Sequence, residues 1–140
     1  EKYKIPVMVC DSVEEAVKGA EIICTVTPSK EPYLKAEWIT PGAHINAVGA
    51  FTPNTREIES SLMAKAKLYA DQVEAMKKES GEYLIPKNEG LFGEEHITGS
   101  IGGILAGQVP GRENDTEITL FDALGLAVED VACGRFLCRE

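Results

Sequence analysis

At 140 residues, with 44% hydrophobic and 26% charged side chains, the chain fits one ordinary globular domain and lies far from the composition of a disordered segment. The 23 acidic residues outnumber the 14 basic ones, and a formal charge of −9 argues against nucleic acid or an anionic membrane surface as a partner. No apolar run reaches the roughly 18 to 20 residues that span a bilayer, and the polar opening Glu1–Lys4 is unlike a signal peptide, which points to the cytoplasm.

The start on Glu1, running at once into a strand-like stretch, reads as a cut from something longer. Val7–Cys10 is a short apolar run of strand type. Asp11 and Ser12, followed by Glu14 and Glu15, supply an N-cap and an acidic first turn for a helix through Lys18, which Gly19 ends. Glu21–Thr27 is β-branched and nearly continuously apolar, the pattern of a strand buried on both faces of a parallel sheet, and Pro28 stops it. A helical turn is expected around Ala36–Trp38. Pro41 and Gly42 then launch Ala43–Val48 as the next strand.

After Pro53 and Asn54, Glu57–Lys67 reads as a helix with Ile58, Leu62 and Ala66 on one face, and Leu68–Ala70 as a short strand. Val73–Glu79 is expected to be helical, and Gly81–Glu95, with Pro86 and three glycines, to be an irregular connection. His96–Ala106 is read as holding a short helix before Gly107. The turn-rich Gln108–Asp115 leads into a last strand, Glu117–Phe121, and Ala127–Leu137 is helical in pattern. Helix alternating with strand at this spacing defines an α/β class with a parallel sheet.

Cys10, Cys24, Cys133 and Cys138 form no CxxC pair, and three of them lie in apolar runs, so free, core-type thiols in a reducing compartment are expected. His44 and His96 are isolated and no ligand spacing repeats, so no metal site is expected. Gly99–Gly103 (GSIGG) lacks dinucleotide glycine spacing and a clear preceding strand, and reads as a connector. His44 reads as a satisfied core histidine, and Glu129 with Asp130 as helix-surface acids rather than a paired site.

In open parallel sheets ligands bind outside the carboxyl ends of the strands. Three such ends carry small or hydroxyl residues here: Thr25–Ser29, Asn46–Ala50 and Asp122–Gly125. Small residues let a flat ring approach the backbone, and hydroxyl groups can bond a ribose or carboxamide.

TVTPS at the first of these ends, Ala43–Arg56 (AHINAVGAFTPNTR) and Glu117–Asp130 (EITLFDALGLAVED), the last preceded by VPGREND, occur in this order. Together they resemble the later half of the nucleotide-binding domain of the ornithine cyclodeaminase/mu-crystallin family. The resemblance implies a Rossmann-like sheet with flanking helices from which the first βαβ unit is absent. Residues 1–140 would then be a partial NAD(P)-binding domain, with the substrate and dimerisation domain outside this chain. It further implies NAD or NADP as cofactor in a full-length homodimer, and hydride transfer to or from a small imino or amino acid. Carried over by position, Thr25, Thr27 and Pro28 would lie along the cofactor, Val48 and Ala50 near the nicotinamide, and Ala123 and Leu124 opposite them. Ala123 stands where relatives often have Ser, which removes a side-chain hydroxyl.

The family's cyclodeaminases carry an Asp and a Lys in a D-x-P-G-K pattern, where this chain reads Phe51-Thr52-Pro53-Asn54-Thr55. Phe51 cannot accept a proton. The resemblance therefore implies reduction of ketimines or cyclic imino acids, with no catalytic residue assigned in this chain. Ornithine cyclodeamination and binding of cofactor without turnover are the alternatives. Lacking the first unit, these residues alone are expected to bind dinucleotide weakly and to be inactive.

Overall fold

The computed structural model describes residues 5–138; the polar opening Glu1–Lys4 lies outside the described residues. Five strands form one all-parallel sheet: β1 (Ile22–Thr25), β2 (His44–Ala47), β3 (Lys67–Ala70), β4 (Ile97–Ser100) and β5 (Thr119–Asp122). Their spatial order is β1-β2-β5-β3-β4, so the last strand of the chain is inserted between the second and third. This is the Rossmann-like α/β arrangement the sequence predicts.

The register makes rows across the sheet. Ile23, Ile45, Leu120 and Leu68 are direct neighbours on one face, and Thr25, Ala47, Asp122 and Ala70 follow one step towards the carboxyl ends. The first row joins Leu34, Ile58, Leu62, Met63, Met76 and Tyr83 in one buried cluster. Each such side chain contributes roughly 1.5–3 kcal/mol on leaving water. The covering layer is built from α2 (Ser60–Lys65), α3 (Val73–Glu79), α4 (Gly81–Asn88) and the turn Ala36–Trp38.

The opposite face is less covered. Tyr69 and Thr119 are buried beneath α5 (Ile101–Leu105) and the segment 108–112, with Tyr69 donating to the Pro110 carbonyl at 2.9 Å. Towards β1 the cover ends, so Ile22 is 69% exposed and Cys24 is exposed. The expectation that β1 is buried on both faces therefore fails: among the described residues nothing packs over its second face. Val7–Cys10 forms no strand for a related reason. Among the described residues no strand lies beyond β1 to accept its ladder hydrogen bonds, and Val7, Met8 and Val9 are exposed.

Local signals behave as their chemistry requires. Ser12 caps α1 (Val13–Val17), its Oγ accepting the Glu15 N–H at 3.2 Å, and Gly19 follows at a φ of 73°. Two expectations in the second half are corrected. Gly81–Asn88 is helical despite Pro86, because Ser80 caps it and Gly81 packs where a Cβ would strike the Thr55 and Thr52 carbonyls. The short helix expected within His96–Ala106 forms as α5, but a strand, β4, occupies the residues before it and runs into GSIGG, so the expectation that no strand leads into that segment is corrected. Gly99 sits at a φ of 153° there, and β4 needs only the edge of β3 as partner.

α6 (Ala127–Leu137) forms as predicted, but every residue in it is exposed. The thiols are free, as expected; they are not buried, since Cys24, Cys133 and Cys138 are exposed and Cys10 half-buried. The elements that hold them gain no second packing layer.

Candidate functional site

Sheet order decides where the three small-residue turns meet. β1, β2 and β5 are consecutive in space, and Thr25, Ala47 and Asp122 pair in register at their carboxyl ends. The chain therefore leaves the sheet side by side at Val26-Thr27, Val48-Gly49 and Ala123-Leu124. Backbone bonds seal the seam: Val48 N–H donates to the Thr25 carbonyl at 3.0 Å, and Ala123 N–H to the Ala47 carbonyl at 2.9 Å.

All seven residues singled out from the sequence lie at this edge, with different access. Val48 is 43% exposed and Pro28 is exposed; Thr27, Ala123 and Leu124 are half-buried. Thr25 and Ala50 are buried, so neither side chain reaches the surface. Thr27, Pro28, Ser29, Val13 and Tyr33 line a shallow depression of about 420 Å³ beside the edge. Phe51 projects from the rim at 64% exposure. The Thr55 hydroxyl is engaged in its own turn, 2.9 Å from Thr52 Oγ1 and 3.1 Å from the Thr52 carbonyl.

Beneath the turns lie buried acids that the sequence pattern does not reveal. Glu57, Glu82 and Asp122 are fully buried and Asp71 nearly so. Glu57 Oε1 accepts the Thr27 N–H at 2.6 Å and the Tyr33 hydroxyl at 2.8 Å, while Oε2 accepts the Gly49 N–H at 3.0 Å. Asp71 Oδ2 accepts the N–H groups of Leu124 and Gly125 at 2.9 and 2.7 Å. Glu82 in turn accepts the N–H groups of Glu57 and Ile58 at 2.6 and 3.2 Å, and Ser80 donates to Asp122 Oδ2 at 2.5 Å. Position 57 opens a predicted helix, where a glutamate is ordinarily solvated, so nothing in the pattern marks it. Asp122 does carry a signal, as a charge closing an apolar strand.

The electrostatics of these acids diverge. Burial by itself would raise the Glu57 carboxyl, but the hydroxyls of Thr25, Thr27 and Tyr33 and the Thr27 N–H outweigh it and hold the group below its usual range. Of these, the Thr25 hydroxyl misses hydrogen-bond geometry and acts only as a nearby dipole. Burial, with Glu57 beside it, pushes the Tyr33 phenol up to about 12 against the lowering effect of Thr27, so it stays protonated and donates. Burial pushes Glu82 up to about 8 despite its two N–H donors, and the charges of Asp122 and Glu57 add to the rise. Asp122 is pushed up to about 7 by burial, with Asp71 adding and Ser80 opposing.

On the other face, His44 Nδ1 lies 2.8 Å from Thr119 Oγ1, and Nε2 lies 3.3 Å from Asn46 Oδ1. The histidine's ring nitrogens are both engaged, as predicted, but it is half-buried on the less covered face rather than in the core. Arg112 donates to the Glu117 carbonyl at 2.7 Å and to Thr119 Oγ1 at 3.0 Å, tying its loop to the same rows. Among the described residues no cluster of His, Cys, Asp and Glu could hold a metal ion, and no helix is long and apolar enough to cross a membrane.

An all-parallel sheet with its small-residue turns gathered at one carboxyl edge has the architecture of a Rossmann-type fold, in which that edge is where ligands bind. The chain belongs to the ornithine cyclodeaminase/mu-crystallin family, whose sequence profile matches residues 1–139. The ketimine reductase mu-crystallin of Mus musculus is 45% identical over 131 residues, which is 94% of this chain and 39% of that protein. Two solved structures share the fold at 40% identity. The Δ1-pyrroline-2-carboxylate reductase of Thermococcus litoralis, in complex with NADH and L-proline, superposes with a TM-score of 0.86 over 90% of this chain and 39% of its own. An archaeal alanine dehydrogenase dimer with bound NAD gives 0.87 over 96% and 41%. The chain spans about two-fifths of the length of the curated relatives it matches.

The residues at the carboxyl edge fit the nicotinamide half of such a cofactor. Exposed Val48 and half-buried Leu124 offer an apolar bed and Ala123 and Gly49 add no bulk, while the Thr27 hydroxyl is already engaged, accepting the Ser29 N–H at 3.3 Å and donating to the Tyr33 hydroxyl at 3.5 Å. The three turns themselves, Thr25–Ser29, Asn46–Ala50 and Asp122–Gly125, contain no Lys or Arg and no dinucleotide glycine spacing to hold a pyrophosphate, so the fit is confined to that half.

Proposed function

We propose that these residues form the nicotinamide-facing part of a longer NAD(P)-dependent oxidoreductase that reduces small cyclic imino acids or ketimines. The observation that carries this reading is one juxtaposition. Three small-residue turns meet at adjacent strand ends, and the adjoining rim carries Phe51 and a self-engaged Thr55 where deamination would require an acid and an amine. When bound, the dinucleotide supplies hydride to the carbon of a C=N bond already activated by protonation. The side chains act more simply. Val48, Ala123 and Leu124 present an apolar surface to a flat ring, and exposed Phe51 helps exclude water beside it. With no proton acceptor at position 51, the chain favours substrates that arrive as the cation.

On the same reading the substrate-binding and dimerisation domain, and the cradle for the adenine half, lie in chain beyond these residues. Thr25, Thr27, Pro28, Val48, Ala50, Ala123 and Leu124 border the cofactor. Four free thiols, three of them exposed, suit the reducing cytoplasm.

Steady-state assay of the full-length protein tests the proposal. Oxidation of NADH or NADPH dependent on Δ1-pyrroline-2-carboxylate supports it. Ammonia release from ornithine, or tight cofactor binding without turnover of either substrate, overturns it.

A further inference from the structure

We propose that Glu57 and Asp71 are positioning residues for the nicotinamide: buried carboxylates that set the spacing of the three turns beneath it through their backbone N–H groups. The inference rests on the cofactor reading above and adds to it the groups that hold the site's shape.

Glu57 bridges two strand ends. One oxygen takes the Thr27 N–H and the other the Gly49 N–H, which it shares with the Thr25 carbonyl at 3.1 Å. Thr27 and Gly49 leave different strands, and the carboxylate fixes the gap between them. A Cβ at position 49 would strike the Thr27 backbone and Glu57 Oε2, so the seam is as close as main chain allows. Glu57 is itself oriented from behind: its own N–H is held by Glu82, and its first oxygen also receives the Tyr33 hydroxyl. Asp71 repeats the device on the other side. It follows β3 directly, and its Oδ2 gathers two consecutive N–H groups of the turn after β5, while Oδ1 accepts the Gln72 N–H at 2.6 Å.

Between them the two acids engage each of the three turns. Their side chains lie inside the fold, so they act through the main chain that the ring would face. Charge-assisted bonds of this kind are short and directional, which suits groups that must keep a surface within a few tenths of an ångström.

The experiment compares dissociation constants of NADH and of ADP-ribose, which lacks the nicotinamide, on the full-length protein and on Glu57→Gln and Asp71→Asn. Both oxygens of each carboxylate accept backbone N–H groups, so an amide must turn its NH2 towards one of them. In Glu57→Gln this opens one seam, and in Asp71→Asn it removes either the Leu124 and Gly125 contacts or the Gln72 contact that orients the group, with the loss of charge weakening what remains. We expect each variant to weaken NADH by about tenfold or more while ADP-ribose binding stays within about twofold, a split that general damage would not produce. Unchanged NADH affinity in folded variants overturns the proposal, as does equal weakening of both ligands. Failure of the unsubstituted protein to bind NADH overturns the cofactor reading and this inference together. Should Glu57→Gln fail to fold, Tyr33→Phe removes one donor to the same oxygen, and a folded Tyr33→Phe protein with unaltered NADH affinity overturns the role of Glu57.

Discussion

On one face of the sheet Ile23, Ile45, Leu120 and Leu68 stand in a closed row under α2, α3 and α4, while on the other Ile22 and Cys24 are exposed and His44 and Asn46 half-buried. Both faces come from the same strands, one residue out of phase. The difference lies in what the chain supplies to cover them. The segments after β2 and β3 return over the first face, whereas among the described residues only α5 and the segment 108–112 cross the second. They cover β4, β3 and β5, and Arg112 reaches the Ala43 carbonyl at the start of β2, but β1 stays bare. The closed face anchors the carboxyl-edge turns through its acids. The half-covered face, like exposed α6, adds little to the stability of these residues.

The largest effect should separate the faces directly. Leu120→Ala, at a fully buried position on a central strand, is expected to cost about 3–4 kcal/mol, while Ile22→Ala on β1 costs less than about 1 kcal/mol. Urea denaturation of the purified variants measures both, and similar losses would mean that the second face is packed in solution.

The next effect concerns the acids under the closed face. Folding raises the Glu82 carboxyl to about 8 and the Asp122 carboxyl to about 7. Between the ordinary carboxylate range and those values the folded state holds protons that the unfolded chain has released. The contribution of these two groups is therefore full at low pH and declines as pH rises through about 7 to 8. Glu57, held low, acts in the opposite sense, its contribution being lost only as pH falls below the ordinary carboxylate range. Glu82→Gln combined with Asp122→Asn should flatten a decline on the order of a few kcal/mol between about pH 5 and 8.5. Denaturant midpoints at those two pH values decide it; a slope unchanged by the substitutions would show that these groups are not protonated at neutral pH. The smallest effect belongs to α6, where Val128→Ser should shift the stability of the 140-residue chain by less than about 0.5 kcal/mol. A larger loss in the full-length protein would identify α6 as an internal contact there.

Much of the fold is legible in local pattern. β2 and β5 are marked by apolar and β-branched runs, α1 by Ser12 and Gly19, and α3 by its bounds at Val73 and Glu79. What escapes has identifiable physics. α4 is hidden by Pro86 and Gly81, residues that argue against a helix unless tertiary contacts require them: the Thr52–Thr55 turn lies so close that only a residue without a Cβ fits at position 81. β4 is hidden because Gly99 weakens the strand pattern, and its pairing with β3 is long-range. The site is partly legible, since Thr27, Val48 and Leu124 belong to recognisable strand ends. The acids beneath are not, because burial of a glutamate depends on donors from residues tens of positions away.

The sequence by itself determined the class of fold, the strands that carry the turns, and the family signatures, for these reside in local pattern: β-branched runs, caps, glycines and prolines whose effects reach only a few residues. Tertiary structure alone decided that β5 inserts between β2 and β3, bringing together turns separated by about 20 and 75 residues, and that Glu57 and Asp71 lie beneath them. Parallel pairing and carboxylate burial are non-local. Each is stable only when the chain has already brought N–H donors and apolar cover from distant segments, and no periodicity along the chain records that meeting.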